Sequence, residues 1–229
     1  MDEAREWGVA AVAALDEPTR RRVYDHVVRQ PTPVSRDEAA AALGLPRTTA
    51  AFHLDQLVKV GLLDVAYQRL SGRTGPGAGR PAKLYHRSRR QVAVSVPERR
   101  YDLAGRLLAA AVEEADESSE SPRTVLHRRA RELGQRLGEA ATAGHDAAQG
   151  RDTVLRVLEE HGFEPRIENT DVVLGNCPFH TLAHQHTELV CGMNLCLLGG
   201  LLDGLATTGL RARLDPTPDH CCVRLQAGS

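Results

Sequence analysis

All five cysteines of this 229-residue chain lie between residues 177 and 222, together with His180, His184, His186 and His220. Thiolate and imidazole groups are the ligands of zinc and of iron–sulfur clusters. Thirteen residues separate Cys177 from Cys191, twenty-nine separate Cys191 from Cys221, and Cys222 is adjacent. This spacing is not the paired Cys-x-x-Cys of a zinc ribbon. Cys177 ends an expected strand and precedes Pro178. In the expected helix Thr187–Leu205, Cys191 shares a face with Leu195, Leu198, Leu202 and Leu205, so it looks inward. Cys196 lies roughly 140° round that helix and reads as a packed thiol. In an expected strand His220–Leu225, Cys221 and Cys222 point to opposite faces, so one of them joins Cys177 and Cys191. A zinc site, or buried cysteines that bind nothing, fits the same pattern. Cys177 with His180 three residues on also suits a redox or nucleophilic pair, without an evident third group.

The elements that must hold these groups are legible. Helices are expected over Glu98–Ala115, Pro122–Ala141 and Arg151–His161, and strands over Phe163–Glu168 and Val172–Asn176. Residues 146–229 therefore read as an α+β, Cys/His-rich sensor domain. Residues 98–145 read as a helical linker, with the 98–115 helix as a dimer contact through Leu103, Leu107, Leu108 and Ala111. Leu189–Leu205 is the most apolar stretch, but Asn194, Gly199, Gly200 and Asp203 interrupt it, and nothing approaches a membrane span. The acidic start Met-Asp-Glu is unlike a secretory signal, which points to the cytoplasm and to reduced thiols.

The first half has a different character. Residues 47–100 hold 11 Lys/Arg against 3 Asp/Glu, a net +8 hidden within an overall charge of −1. That balance suits a polyanion. Eight aromatic residues in all are too few for a base-stacking RNA or single-strand platform. A helix is expected from Leu15-Asp16-Glu17-Pro18 to about Arg29, with Val23 and Val27 inward. Ser35-Arg36-Asp37-Glu38 is a capping-box pattern opening Asp37–Leu43. Gly44-Leu45 then turns the chain into a helix from Pro46 to Gly61. Ala50, Leu54 and Leu57 form its buried stripe, which leaves Arg47, Thr48, Thr49, His53 and Gln56 for phosphates and base edges. Strands at Leu62–Tyr67 and Lys83–His86 flank a loop with four glycines and Arg69, Arg73 and Arg80, a basic wing with Lys83 at its base. Residues 1–97 thus read as a winged helix-turn-helix domain for double-stranded DNA, and the fold class as mainly α with α+β.

Leu15–Gln30 and Gly44–Leu63 resemble the winged-helix domain of ArsR-type bacterial repressors. Gly79-Arg80-Pro81-Ala82-Lys83-Leu84-Tyr85 resembles the wing of the Suf-operon (iron–sulfur assembly) repressors. Asn176-Cys177-Pro178-Phe179-His180, Val190-Cys191 and Cys221 resemble the cluster-binding half of that family. The resemblance implies a [4Fe–4S] cluster on Cys177, Cys191 and Cys221, with Cys222, His180 or a small molecule as fourth ligand. The gap from Cys177 to Cys191 and the tail around Cys221-Cys222-Val223 depart from the family pattern. The expected function is a homodimeric, redox-sensing repressor that is not an enzyme. Alternatives are a zinc-binding or small-molecule-responsive regulator, with its pocket between the 187–205 helix and the sheet, and more remotely a Cys/His redox enzyme.

Replacing Arg73 and Arg80 with Ala is expected to weaken binding to every duplex and to flatten the dependence of log affinity on log salt. A titration series over salt concentration measures this; an unchanged slope removes the wing from the interface.

Overall fold

The computed structural model describes residues 3–68, 81–142, 150–205, 209–217 and 220–228. The chain divides into two compact units, Met1–Val94 and Ser95–Ser229. Among the described residues no helix is long and apolar enough to cross a membrane.

The first unit comprises α1 (Glu3–Ala14), α2 (Pro18–Val28), β1 (Val34–Ser35), α3 (Arg36–Leu43), α4 (Arg47–Lys59), β2 (Leu63–Gln68) and β3 (Ala82–Arg87). Local chemistry sets the boundaries. Glu17 caps α2 by accepting from the backbone N–H groups of Thr19 and Arg20. Ser35 and Glu38 form the reciprocal capping box on α3. Gly44 ends α3 in the left-handed region at φ 65°, which makes the tight turn into α4. Pro46 stands at the N-cap of α4, one position earlier than expected. Val23, Val27, Ala39, Leu54, Leu57, Leu63 and Tyr85 build one core. Trp7 of α1 closes it by donating from Nε1 to the carbonyl of Val60, 2.9 Å away. The wing strands pair antiparallel from Leu63↔Arg87 to Gln68↔Ala82. The short β1 was not expected; it pairs with β3 and gives the order β1-β3-β2.

The second unit comprises α5 (Tyr101–Glu117), α6 (Pro122–Thr142), α7 (Gly150–Glu160), β4 (Pro165–Glu168), β5 (Asp171–Leu174), α8 (His180–Gln185), α9 (Thr187–Gly204), β6 (Leu210–Leu214) and β7 (Val223–Ala227). Its antiparallel sheet runs β4-β5-β7-β6. The 98–141 helices, expected as a linker, belong to this unit's core: Ala104, Leu107, Ala111, Val125, Leu126 and Ala130 cluster with Leu174, Phe179, Leu198 and Leu225. Helix α5 starts three residues later than expected because the preceding residues are bonded elsewhere. The Ser95 hydroxyl accepts from the Arg99 N–H, and the Arg100 N–H donates to the Pro178 carbonyl. The last strand begins at Val223, so Cys221 and Cys222 precede it.

Helices α6 and α9 touch backbone to backbone. A Cβ added at Gly134 would overlap the Leu197 carbonyl, and one at Gly200 would overlap the Arg131 carbonyl. Gly138 and Gly204 are similarly crowded, by Leu201 and Gln135 respectively. Gly200, which interrupts the apolar run of α9, and Gly204 are therefore what lets that helix seat.

Gly200→Ala should destabilise the second unit by at least about 1–3 kcal/mol, the usual cost of overpacking. Trp7 is the sole tryptophan and reports the first unit alone. Far-UV circular dichroism should lose stability in denaturant while the Trp7 fluorescence transition stays in place. A shift of both together would mean that the units unfold as one.

Candidate DNA-binding face and cysteine centre

The exposure pattern of α4 sorts its side chains. Ala50, Leu54 and Leu57 are fully buried, as the periodicity required. Arg47 and Thr48 are exposed, while Thr49 and Gln56 are half-buried. The Arg47 Nε donates to Asp37 at 2.6 Å, and its second nitrogen also meets that carboxylate. The guanidinium holds the Asp37 carboxyl below its ordinary range. So exposed a pair contributes little to stability, leaving Arg47 able to exchange Asp37 for a phosphate.

His53 corrects the sequence reading. It is only 8% exposed, and its Nδ1 lies 3.4 Å from the Glu17 carboxylate at the start of α2. The helical period explains this: His53 stands three residues after Ala50 and four before Leu57, on the edge of the buried stripe. The outward residues are instead Thr48, Phe52, Asp55 and Lys59, at intervals of four, three and four. Phe52, Asp55 and Lys59 were passed over, although the same count places them opposite the stripe.

Lys83 is where the wing reading placed it, at the base of β3. Its Nζ donates to Asp55 at 2.6 Å, and the Tyr85 hydroxyl donates to the same oxygen at 2.9 Å. These two donors outweigh burial and keep the Asp55 carboxyl below its ordinary range. Arg69, Arg73 and Arg80 lie outside the described residues.

In the second unit the cysteines form two pairs. The Cys177 and Cys221 thiols are both buried and each shifts the ionisation of the other. Cys191 and Cys222 are disulfide-bonded. Adjacent residues thus serve different partners, as opposite orientations demand, but Cys191 does not join Cys177 and Cys221 in this form. Among the described residues no group of three or more His, Cys, Asp or Glu side chains is placed to hold a metal ion. Cys196 is half-buried, and its burial pushes the thiol up from its ordinary value. His180 is exposed with its ring against His184 at 5.5 Å, whereas Cys177 is buried.

Three features surround the Cys177 and Cys221 pair. The Asn194 amide, 1% exposed and one turn along α9 from Cys191, donates to the Cys221 sulfur at 3.3 Å. Asn176 is buried and donates to the carbonyls of Glu98 and Gly162. Arg99 donates to the Asn176 side-chain oxygen and to the Cys177 carbonyl, the latter at 3.3 Å. The Cys221 thiol, the Phe179 N–H and the Arg99 charge together lower the Cys177 thiol below its ordinary value, against its burial. Cys221 is pushed up, by its neighbour Cys177 and then by burial. Cys177 is therefore the sulfur that ionises first. The space expected to hold a small molecule is occupied by core: Met193, Leu197, Leu198 and Leu201 of α9 cluster with Val172, Leu174, Val223 and Leu225 of the sheet.

A family model described as a helix-turn-helix domain matches residues 15–66, which run from just after α1 to the middle of β2. No curated protein and no solved structure matches the chain. The protein carries a helix-turn-helix domain, which supports DNA binding and transcription regulation rather than enzymatic activity.

With the Cys191–Cys222 bond intact and Cys196→Ser in place, Cys177 and Cys221 are the only thiols left. Adding Cys221→Ala removes the main stabiliser of the Cys177 thiolate. The midpoint of ultraviolet thiolate absorbance should then move to higher pH, with less thiolate at any given pH. A midpoint that is unchanged or lower would remove Cys221 as the stabilising partner.

Proposed function

We propose that the protein is a homodimeric, sequence-specific transcriptional repressor acting on double-stranded DNA in the cytoplasm. The cysteine centre of its second unit sets its operator affinity. The observation that carries this reading is the sorting of α4: a fully buried stripe against α2 and α3, and an outward face flanked by Arg47 and Lys83 beside a two-stranded wing. A helix so presented fits the major groove, with backbone phosphates on either side. Helix α1 leaves Val9, Ala10, Val12 and Ala13 exposed along one side, an apolar strip that supports pairing of two copies. Helix α5, the expected dimer contact, spends Ala104, Leu107 and Ala111 within its own unit.

The donor set fits a thiolate-ligated centre once Cys191–Cys222 is reduced. Four sulfurs then come from the exit of β5, the start of α9 and the chain before β7. Cys177, Cys191 and Cys221 would hold an iron–sulfur cluster, with Cys222 in the fourth place; His180 is less suited, being exposed beside a buried Cys177. Such a cluster would supply oxidant-sensitive bonds among these elements, and zinc would supply the same bonds without redox chemistry. The chain's own residues supply the relay. Arg99 and Glu98 bond to Asn176 and the Cys177 loop, and the Tyr101 hydroxyl donates to Thr181 at 2.8 Å. A change in the Cys177 loop therefore reaches the residues by which the chain enters the second unit. Half-site spacing in a dimer is a rigid demand, so a modest shift of the two readers lowers specific affinity more than non-specific affinity.

The test is a set of Ser replacements at Cys177, Cys191, Cys221 and Cys196, prepared without oxygen. Metal content, sedimentation mass and operator affinity are measured for each. The first three should lose bound iron and about tenfold or more in operator affinity, a change of roughly 1.4 kcal/mol. Cys196→Ser should retain both, and every variant should sediment as a dimer. Loss of metal in Cys196→Ser alone, or wild-type operator binding by all four, overturns the coupling. Zinc in place of iron and sulfide selects the alternative metal.

A further inference from the structure

Phe52 stands apart from the other phenylalanines. The chain has three; Phe163 is 4% and Phe179 1% exposed, but Phe52 is 54% exposed. Burying such a side chain is favourable, so leaving more than half of it in water forgoes that gain. It lies one turn beyond Thr48 and one turn before Asp55, at the centre of the outward face of α4. The His53 ring meets it edge to face at a centroid distance of 5.3 Å. His53 is itself buried against the α2 cap, so it gives Phe52 a fixed backing. The nearest carboxylate on this face, Asp55, is held by Lys83 and Tyr85 and does not present a free anion to an approaching phosphate.

A phenyl ring offers no hydrogen bond, so it cannot recognise a base by donors and acceptors. The apolar group that the major groove presents is the C5-methyl of thymine, and Phe and the Thr methyl are among its usual partners. We infer that Phe52, with Thr48 one turn before it, reads a thymine methyl in each operator half-site and is a specificity-determining residue of this protein. This inference rests on the DNA-binding reading above and adds the identity of one base to it. Arg47 then holds a phosphate while Lys83 keeps Asp55 neutralised, and Gln56, being half-buried, has the lesser part in reading sequence.

The experiment begins with selection of a preferred duplex from a randomised library by the full-length protein. Each thymine of the half-site is then replaced singly by deoxyuridine, which removes only the methyl. One methyl is worth about 0.8 kcal/mol, so wild type should lose about fourfold in affinity at one or two positions in each half-site. Phe52→Ala should lose that discrimination, and Phe52→Leu should keep most of it; circular dichroism checks that both remain folded. Deoxyuridine with no effect at any position, an equal loss in wild type and Phe52→Ala, or a selected site without thymine overturns the inference while leaving the DNA-binding reading intact. A library that yields no preferred sequence overturns both.

Discussion

The second unit depends on two helix backbones coming into direct contact. Gly134 and Gly138 on α6, with Gly200 and Gly204 on α9, remove every Cβ that would hold the axes apart. Because α9 seats this deeply, Cys191 and Asn194 come within reach of the tail that carries Cys221 and Cys222. With larger residues at these points α9 would ride higher, and the Asn194 amide could not meet the Cys221 sulfur. The geometry of the sulfur centre is thus set by residues that carry no functional group.

The first unit is organised by the period of one helix. Three fully buried side chains on α4 fix its rotation, and that rotation decides every other position on it. It turns His53 inward to the α2 cap and turns Phe52 outward. Adjacent residues therefore have opposite fates, although by type alone the histidine is the more natural surface residue. The two cases share a cause, since packing on α2 and α3 overrides side-chain polarity when both cannot be satisfied.

Much of this was legible in the sequence. The Ser35 capping box, the glycine turn at Gly44, the buried stripe of α4 and the paired strands of the wing follow from local chemistry. Cys191 looking inward follows from the helix period, whereas Cys221 and Cys222 serve different partners without lying in the strand expected to set them apart. What the sequence hides is long-range. Residues 98–100 appear ready to start a helix, but bonds to Asn176 and Pro178, nearly eighty positions away, delay it. Cys191 had two candidate neighbours in the tail, and only the packing of α9 chooses Cys222. Strand β6 was not read from the sequence at all, since its five residues are too short a signal and its place at the sheet edge depends on pairing with β7. His53 was misread because a stripe was counted from three residues without its flank.

Each unit closes its own hydrophobic core, and the two described clusters share no residue. The consequence is genetic. A lesion in the glycine contact of α6 and α9 spares the reading head, and a lesion in the core beneath α4 spares the sulfur centre. Destabilising substitutions should therefore fall into two structural classes, each unfolding one unit and leaving the other folded.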